Sequence, residues 1–189
     1  MTIAIGIFVG GRGRRMGGAD KGLLPLPEGG TVLARLVGQC RTALPHSPIH
    51  LIGDARAYAD FNLPALTDEP PGIGPLGGLI ALLRHSGTHS SAIVLACDMP
   101  YVSAALLARL ANEAPDAAAL APRRDGHWEP LCARYGTSLL TLAEDAVAAQ
   151  RLSLQHLFEH LGEKAQPLTL SPEEERQLFD WDTPEDIGA

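Results

Sequence analysis

Two apolar runs constrain this chain more than any other feature. Ile3 to Val9 and Ala92 to Cys97 contain no charged residue and are followed at once by glycine and by aspartate. A strand apolar along its whole length needs cover on both faces, which is the situation of a parallel sheet between helices. Shorter strands are expected at Ile49 to Gly53 and Ala65 to Thr67, with helices at Thr31 to Leu44, Ala55 to Phe61 and Leu76 to His85. That alternation predicts an α/β fold, a three-layer α/β/α sandwich on a mostly parallel sheet.

Beyond Asp98 the punctuation is strong. Ser103 caps a helix expected to run to about Glu113, and Asp125-Gly126 is the turn chemistry of an antiparallel hairpin joining Ala117–Pro122 to Trp128–Tyr135. Helices are expected at 137–149 and 153–161, and Ser171-Pro172-Glu173-Glu174 and Thr183-Pro184-Glu185-Asp186 are two further helix starts. No linker long enough to separate two domains interrupts the pattern, so 1–189 is read as one domain.

Charge narrows the partners. Fifteen Lys+Arg against 22 Asp+Glu give a formal −7, which opposes long polyanions such as nucleic acid and anionic membranes. Residues 1–24 run the other way, with Arg12, Arg14, Arg15 and Lys21 against Asp20, a net +3 that suggests one small bound anion. The cysteines Cys40, Cys97 and Cys132 are odd in number and form no CxxC pair, so a reducing cytoplasm is expected and no zinc site. The apolar opening is too short to span a bilayer and has no basic flank, so neither a signal peptide nor an anchor is expected.

The anion's place is the loop Gly10-Gly11-Arg12-Gly13-Arg14-Arg15-Met16-Gly17-Gly18-Ala19-Asp20-Lys21-Gly22. Glycines admit backbone N–H groups close to phosphate, and the arginines and lysine add charge-assisted donors. It is neither of two familiar phosphate loops. The dinucleotide fingerprint fails at Met16, and the P-loop pattern fails because Ala19-Asp20 stand where Lys-Ser/Thr is required. Asp98 follows the second apolar strand, and the carboxyl ends of strands in such a sheet form the ligand crevice. A carboxylate facing a polyphosphate calls for a cation between them, and Mg2+, which takes one or two carboxylates plus phosphates, suits it.

The whole loop resembles the signature of the molybdenum cofactor guanylyltransferase family, molybdopterin-guanine dinucleotide synthase protein A, in the nucleotidyltransferase superfamily. Three further matches follow in order: Asp68 with Gly74-Pro75-Leu76-Gly77-Gly78, then Cys97-Asp98-Met99-Pro100, then Thr183-Pro184-Glu185-Asp186. The resemblance implies a Rossmann-like fold of the nucleotide-diphospho-sugar transferase type. It implies that GMP is moved from GTP to the phosphate of molybdopterin with Mg2+ as cofactor. Lys21, Arg15 and Asp98 are then the catalytic residues. Phe8, Val9, Gly10, Gly11, Arg12, Gly13, Lys21, Asp68, Gly77 and Asp98 bind nucleotide, and Asp98 and Asp182 hold the metal. Asp180 and Asp182 stand where the family commonly has asparagines, and Val9 where it has alanine. Delivery of a labile cofactor suggests a transient handover complex with delivery or acceptor proteins.

Other readings stay open at this point: CMP transfer to the same acceptor, nucleotide transfer to a sugar phosphate, or a non-catalytic nucleotide binder. His156 and His160, four apart on a helix whose apolar stripe is Leu154, Leu157, Phe158 and Leu161, are expected at its exposed edge rather than on a metal. His127 and Trp128 either line the acceptor side or pack the hairpin.

Overall fold

The computed structural model describes residues 3–9 and 20–181. Strands β1 (Ile3–Phe8), β2 (Ile49–Ile52), β3 (Ala65–Leu66) and β4 (Ser91–Ala96) form the parallel part of the sheet in the order β3-β2-β1-β4. Next to β4 lies antiparallel β7 (Cys132–Gly136), then β5 (Ala119–Arg124), which pairs with β6 (His127–Trp128) and runs parallel to β8 (Ala165–Leu168).

Helices cover both faces. The odd residues of β1, Ile3, Ile5 and Ile7, join α1 (Val32–Ala43) and α3 (Ala104–Asn112) in one apolar cluster. Ala4 and Phe8 face the other way, against α2 (Pro75–His85), α4 (Leu140–Ala148) and α5 (Leu154–Leu161). This is why β1 reads as continuously apolar, and the expected three-layer sandwich is what forms. The predicted Ser103 cap holds, and Thr31 and Ser153 cap their helices in the same way, each accepting from a first-turn N–H.

Four points of the sequence reading need revision. Ala55–Phe61 is a 3-10 turn over Arg56–Phe61 with a kink at Tyr58, stopped by left-handed Asn62, so its one buried side chain is Tyr58. The hairpin turns at Asp125-Gly126 with φ of 50° and 83°, as its sequence demands. Its return strand then breaks between β6 and β7, where Pro130 has no N–H to give a ladder and Cys132 N–H donates to the Glu129 carbonyl. Strand β8 was not foreseen, being short and carrying Pro167, a residue tolerated only where the ladder does not need its N–H. The Ser171 capping box is present but launches only α6 (Pro172–Glu175) and a 3-10 turn over Arg176–Leu178. The helix start at Thr183 lies outside the described residues.

Candidate active site

At the carboxyl edge of the sheet the chain leaves β4 through Cys97, whose N–H donates to the Phe8 carbonyl and so carries the ladder one step further. Asp98 follows. Lys21 opens a 3-10 turn over Lys21–Leu23, and its Nζ donates to Asp98 Oδ2 at 2.7 Å, with 16% and 15% of the two side chains exposed. Lys21, at the end of the basic stretch, and the strand-end carboxylate therefore do share one space.

Asp98 is fixed from several sides. Trp181 N–H donates to its carbonyl at 2.9 Å, and Arg35 of α1 donates to the neighbouring Pro100 carbonyl at 2.6 Å. The Trp181 ring is buried with Leu26 and Val32, and its Nε1 donates to Tyr101 Oη at 3.3 Å. Trp181 thus clasps the segment after Lys21 to the loop bearing Asp98. Nothing in the sequence marks it beyond its place as an aromatic residue between Asp180 and Asp182.

The other expected site residues divide. Phe8 and Val9 are at the same edge, but both side chains are buried in the core and Val9 N–H donates to the Ile52 carbonyl, so any nucleotide contact is left to backbone carbonyls or neighbours. Asp68 follows β3 and is half-buried, and its carboxyl is pushed above the usual range by desolvation. Gly77 is in the first turn of α2, where an added Cβ would stand 2.7 Å from the Pro70 carbonyl and 3.2 Å from Asp68 Cβ. Protein fills that space, so Gly77 is glycine for close packing. Gly74, with φ of 76° and nothing within 4 Å of an added Cβ, is the position in that turn open to a ligand. Gly10, Gly11, Arg12, Gly13, Arg15 and Asp182 lie outside the described residues.

Trp128 is already engaged: it stacks on Phe158 with centroids 4.7 Å apart, and the Arg123 guanidinium lies 4.9 Å from its ring. Hairpin packing accounts for it. His156 and His160 are exposed on α5, and among the described residues no group of three His, Cys, Asp or Glu is placed to hold a metal. Cys40, Cys97 and Cys132 are buried and unpaired, and burial raises all three thiols to about 12. Among the described residues no helix is long and apolar enough to cross a membrane.

Comparison with known proteins identifies the family and supports the fold. A family model described as MobA-like NTP transferase domain matches residues 5–165. A molybdenum cofactor guanylyltransferase of Pseudomonas putida (strain F1) is 37% identical over 185 residues, 95% of this chain and 92% of that protein. One from Pseudomonas fluorescens (strain Pf0-1) is 32% identical over 190 residues, 97% and 90% of the two. Among solved structures, molybdopterin-guanine dinucleotide biosynthesis protein A from Archaeoglobus fulgidus superposes with a TM-score of 0.71 at 24% identity, covering 97% of this chain and 94% of its own. A 4-diphosphocytidyl-2C-methyl-D-erythritol synthase from Anaerococcus prevotii superposes at 0.73 with 13% identity, covering 98% and 92%. At those identities the superpositions speak for the fold.

Proposed function

The chain belongs to the MobA-like NTP transferase family, beside the molybdenum cofactor guanylyltransferases, and from that premise we propose that it transfers GMP from GTP to the terminal phosphate of molybdopterin and releases pyrophosphate. The observation that carries the chemistry is the Lys21–Asp98 pair at the carboxyl edge of the sheet.

A phosphate monoester has a second pKa of about 6, so the attacking oxygen is already largely ionised at neutral pH and needs no general base. What remains is in-line placement and neutralisation of charge on phosphate oxygens. Lys21 supplies a compact positive charge there, and Arg15 with the backbone of Gly10 to Gly13 holds the departing pyrophosphate. Asp98 suits a divalent cation of the hard, oxygen-seeking kind, for which one or two carboxylates suffice when substrate phosphates complete the set; Asp182 is the second candidate. Such a cation, Mg2+ in this reading, would clamp the phosphates as a Lewis acid. Asp68 and the Gly74 turn serve the nucleoside. Residues 1–189 act as one nucleotidyltransferase domain, in the cytoplasm, with a transient handover to delivery or acceptor proteins.

The test is pyrophosphate release with Mg2+ and GTP, CTP, UTP or ATP, each with and without molybdopterin. Release with GTP that requires molybdopterin is expected. Release with CTP alone of the four, or none with any, would overturn the assignment.

A further inference from the structure

Tyr58 belongs to none of the motifs above, yet it is 2% exposed and is buried in the same core cluster as Cys97, the residue before Asp98. Its hydroxyl lies against Gly22 and interacts with the Gly22 N–H and the Cys97 thiol, and the same N–H also interacts directly with that thiol. Gly22 follows Lys21 and Cys97 precedes Asp98. One phenol therefore ties together the two stretches of backbone that carry the two charges. Gly22 is itself shaped by this contact, because a Cβ there would lie 2.9 Å from Tyr58 Cε1 and 3.3 Å from its Oη.

We propose that Tyr58 is a positioning residue for guanylyl transfer, its hydroxyl setting the separation of Lys21 and Asp98. The proposal rests on the reading of those two residues given above. A buried tyrosine that merely filled the core would be replaceable by phenylalanine at little cost. Here the hydroxyl is one of two links between Gly22 and Cys97, the other being the Gly22 N–H acting directly on the thiol, so its loss leaves the core filled and the two stretches of backbone more loosely coupled. Burial raises the Tyr58 hydroxyl and holds the Cys97 thiol at about 12, so neither ionises at neutral pH and the link is independent of pH there.

The chain has two lysines, Lys21 and Lys164, so nitrogen-15 NMR of lysine Nζ reads the pair without any substrate. In Tyr58→Phe the Lys21 signal is expected to move part of the way to its position in Asp98→Asn, while Lys164 stays still. In pyrophosphate release, Tyr58→Phe is expected to lower kcat about tenfold, leave KM for GTP within about twofold and cost nothing further in a Lys21→Ala background. Gly22→Ala, which pushes the phenol away, is expected to act in the same direction. An unmoved Lys21 signal overturns the proposal, as does a kcat within about twofold of the parent, or losses that simply add in the double variant. Should the parent itself release no pyrophosphate, the guanylyl-transfer reading fails, and the lysine signals alone then decide for or against Tyr58.

Discussion

Lys21 Nζ lies 2.7 Å from Asp98 Oδ2 although 77 positions separate them in the chain. The sequence assigns the carboxylate to a cation and the ammonium to phosphate; the fold puts both charges at one point. A half-buried charge without a partner is costly, and this pairing meets that cost before substrate arrives. An incoming phosphate–cation unit offers each side chain a new partner of the right sign, so neither is left bare in either state.

Lys21→Ala is expected to lose at least about a hundredfold in kcat, the scale of removing a preorganised charge from a transition state. The fold should survive, because the pair is partly exposed and contributes on the order of 1 kcal/mol. Pyrophosphate release and a melting curve on the same sample check both halves. Activity within a few-fold of the parent would remove Lys21 from the chemistry.

Asp98→Asn keeps the side chain's shape and deletes its charge. The Mg2+ concentration needed for half-maximal turnover is expected to rise about tenfold or more, since the hard cation loses an anionic oxygen. Asp182→Asn is expected to raise it less. An unchanged Mg2+ requirement in Asp182→Asn takes that residue out of the metal site.

Much of this was legible because it is local. Ile3 to Val9 and Ala92 to Cys97 display double burial as unbroken apolar sequence, and Ser103 and Ser171 announce their helices by capping chemistry alone. Strand β8 is illegible because Gln166 and Pro167 break any apolar run, and its strand character comes from pairing with β5. Tyr58 and Trp181 are illegible as site residues for a related reason. Their roles lie in contacts with Gly22, Cys97, Leu26 and Asp98, none of which is a sequence neighbour. Gly77 shows the converse, since the space beside a motif glycine expected to bind nucleotide is taken by the Pro70 carbonyl.

Arg134, 1% exposed, forms no ion pair among the described residues; it donates to the carbonyls of Leu110, Ala111 and Ala114 at the end of α3. A cation there answers the helix dipole and satisfies carbonyls that the helix leaves over. Arg134→Leu strands those carbonyls and is expected to cost about 2–4 kcal/mol in urea unfolding. Turnover per folded molecule should hold. A loss under about 0.5 kcal/mol would show the carbonyls find other partners.

His50 is buried in β2, with Nδ1 lacking a hydrogen-bond partner among the described residues and the His85 ring 4.8 Å away. Desolvation first, then the positive potential of His85 and His89, lower its pKa below the ordinary 6.5, against a smaller raising effect from the Ile5 backbone. The unfolded chain therefore takes up the proton more readily. Stability from neutral His50 is complete above pH 6.5 and drains away as pH falls from there towards the lowered folded value. Melting temperatures at about pH 7.5 and 5.5 should fall further apart in the parent than in His50→Leu. Equal slopes would place the acid sensitivity elsewhere.

Trp181 reaches Asp98 through its backbone but is held in place by its ring, buried against Leu26 and Val32. Trp181→Ala keeps the N–H and deletes the anchor, a truncation of the kind that costs about 3–5 kcal/mol in a core. The contacts at stake join Phe179–Trp181 to the segment after Lys21, so the loss should appear first as release of that segment. Turnover is then expected to fall about tenfold or more, with a smaller drop in melting temperature than the truncated area alone would give. Trp181→Phe should restore most of it. The chain has two tryptophans, so in a Trp128→Phe background the emission of Trp181 reports its own surroundings. Buried emission is expected in that parent, shifting to the red when Leu26→Ala loosens the pocket. A Trp181→Ala variant with the parent's kcat would show that Asp98 needs no clasp.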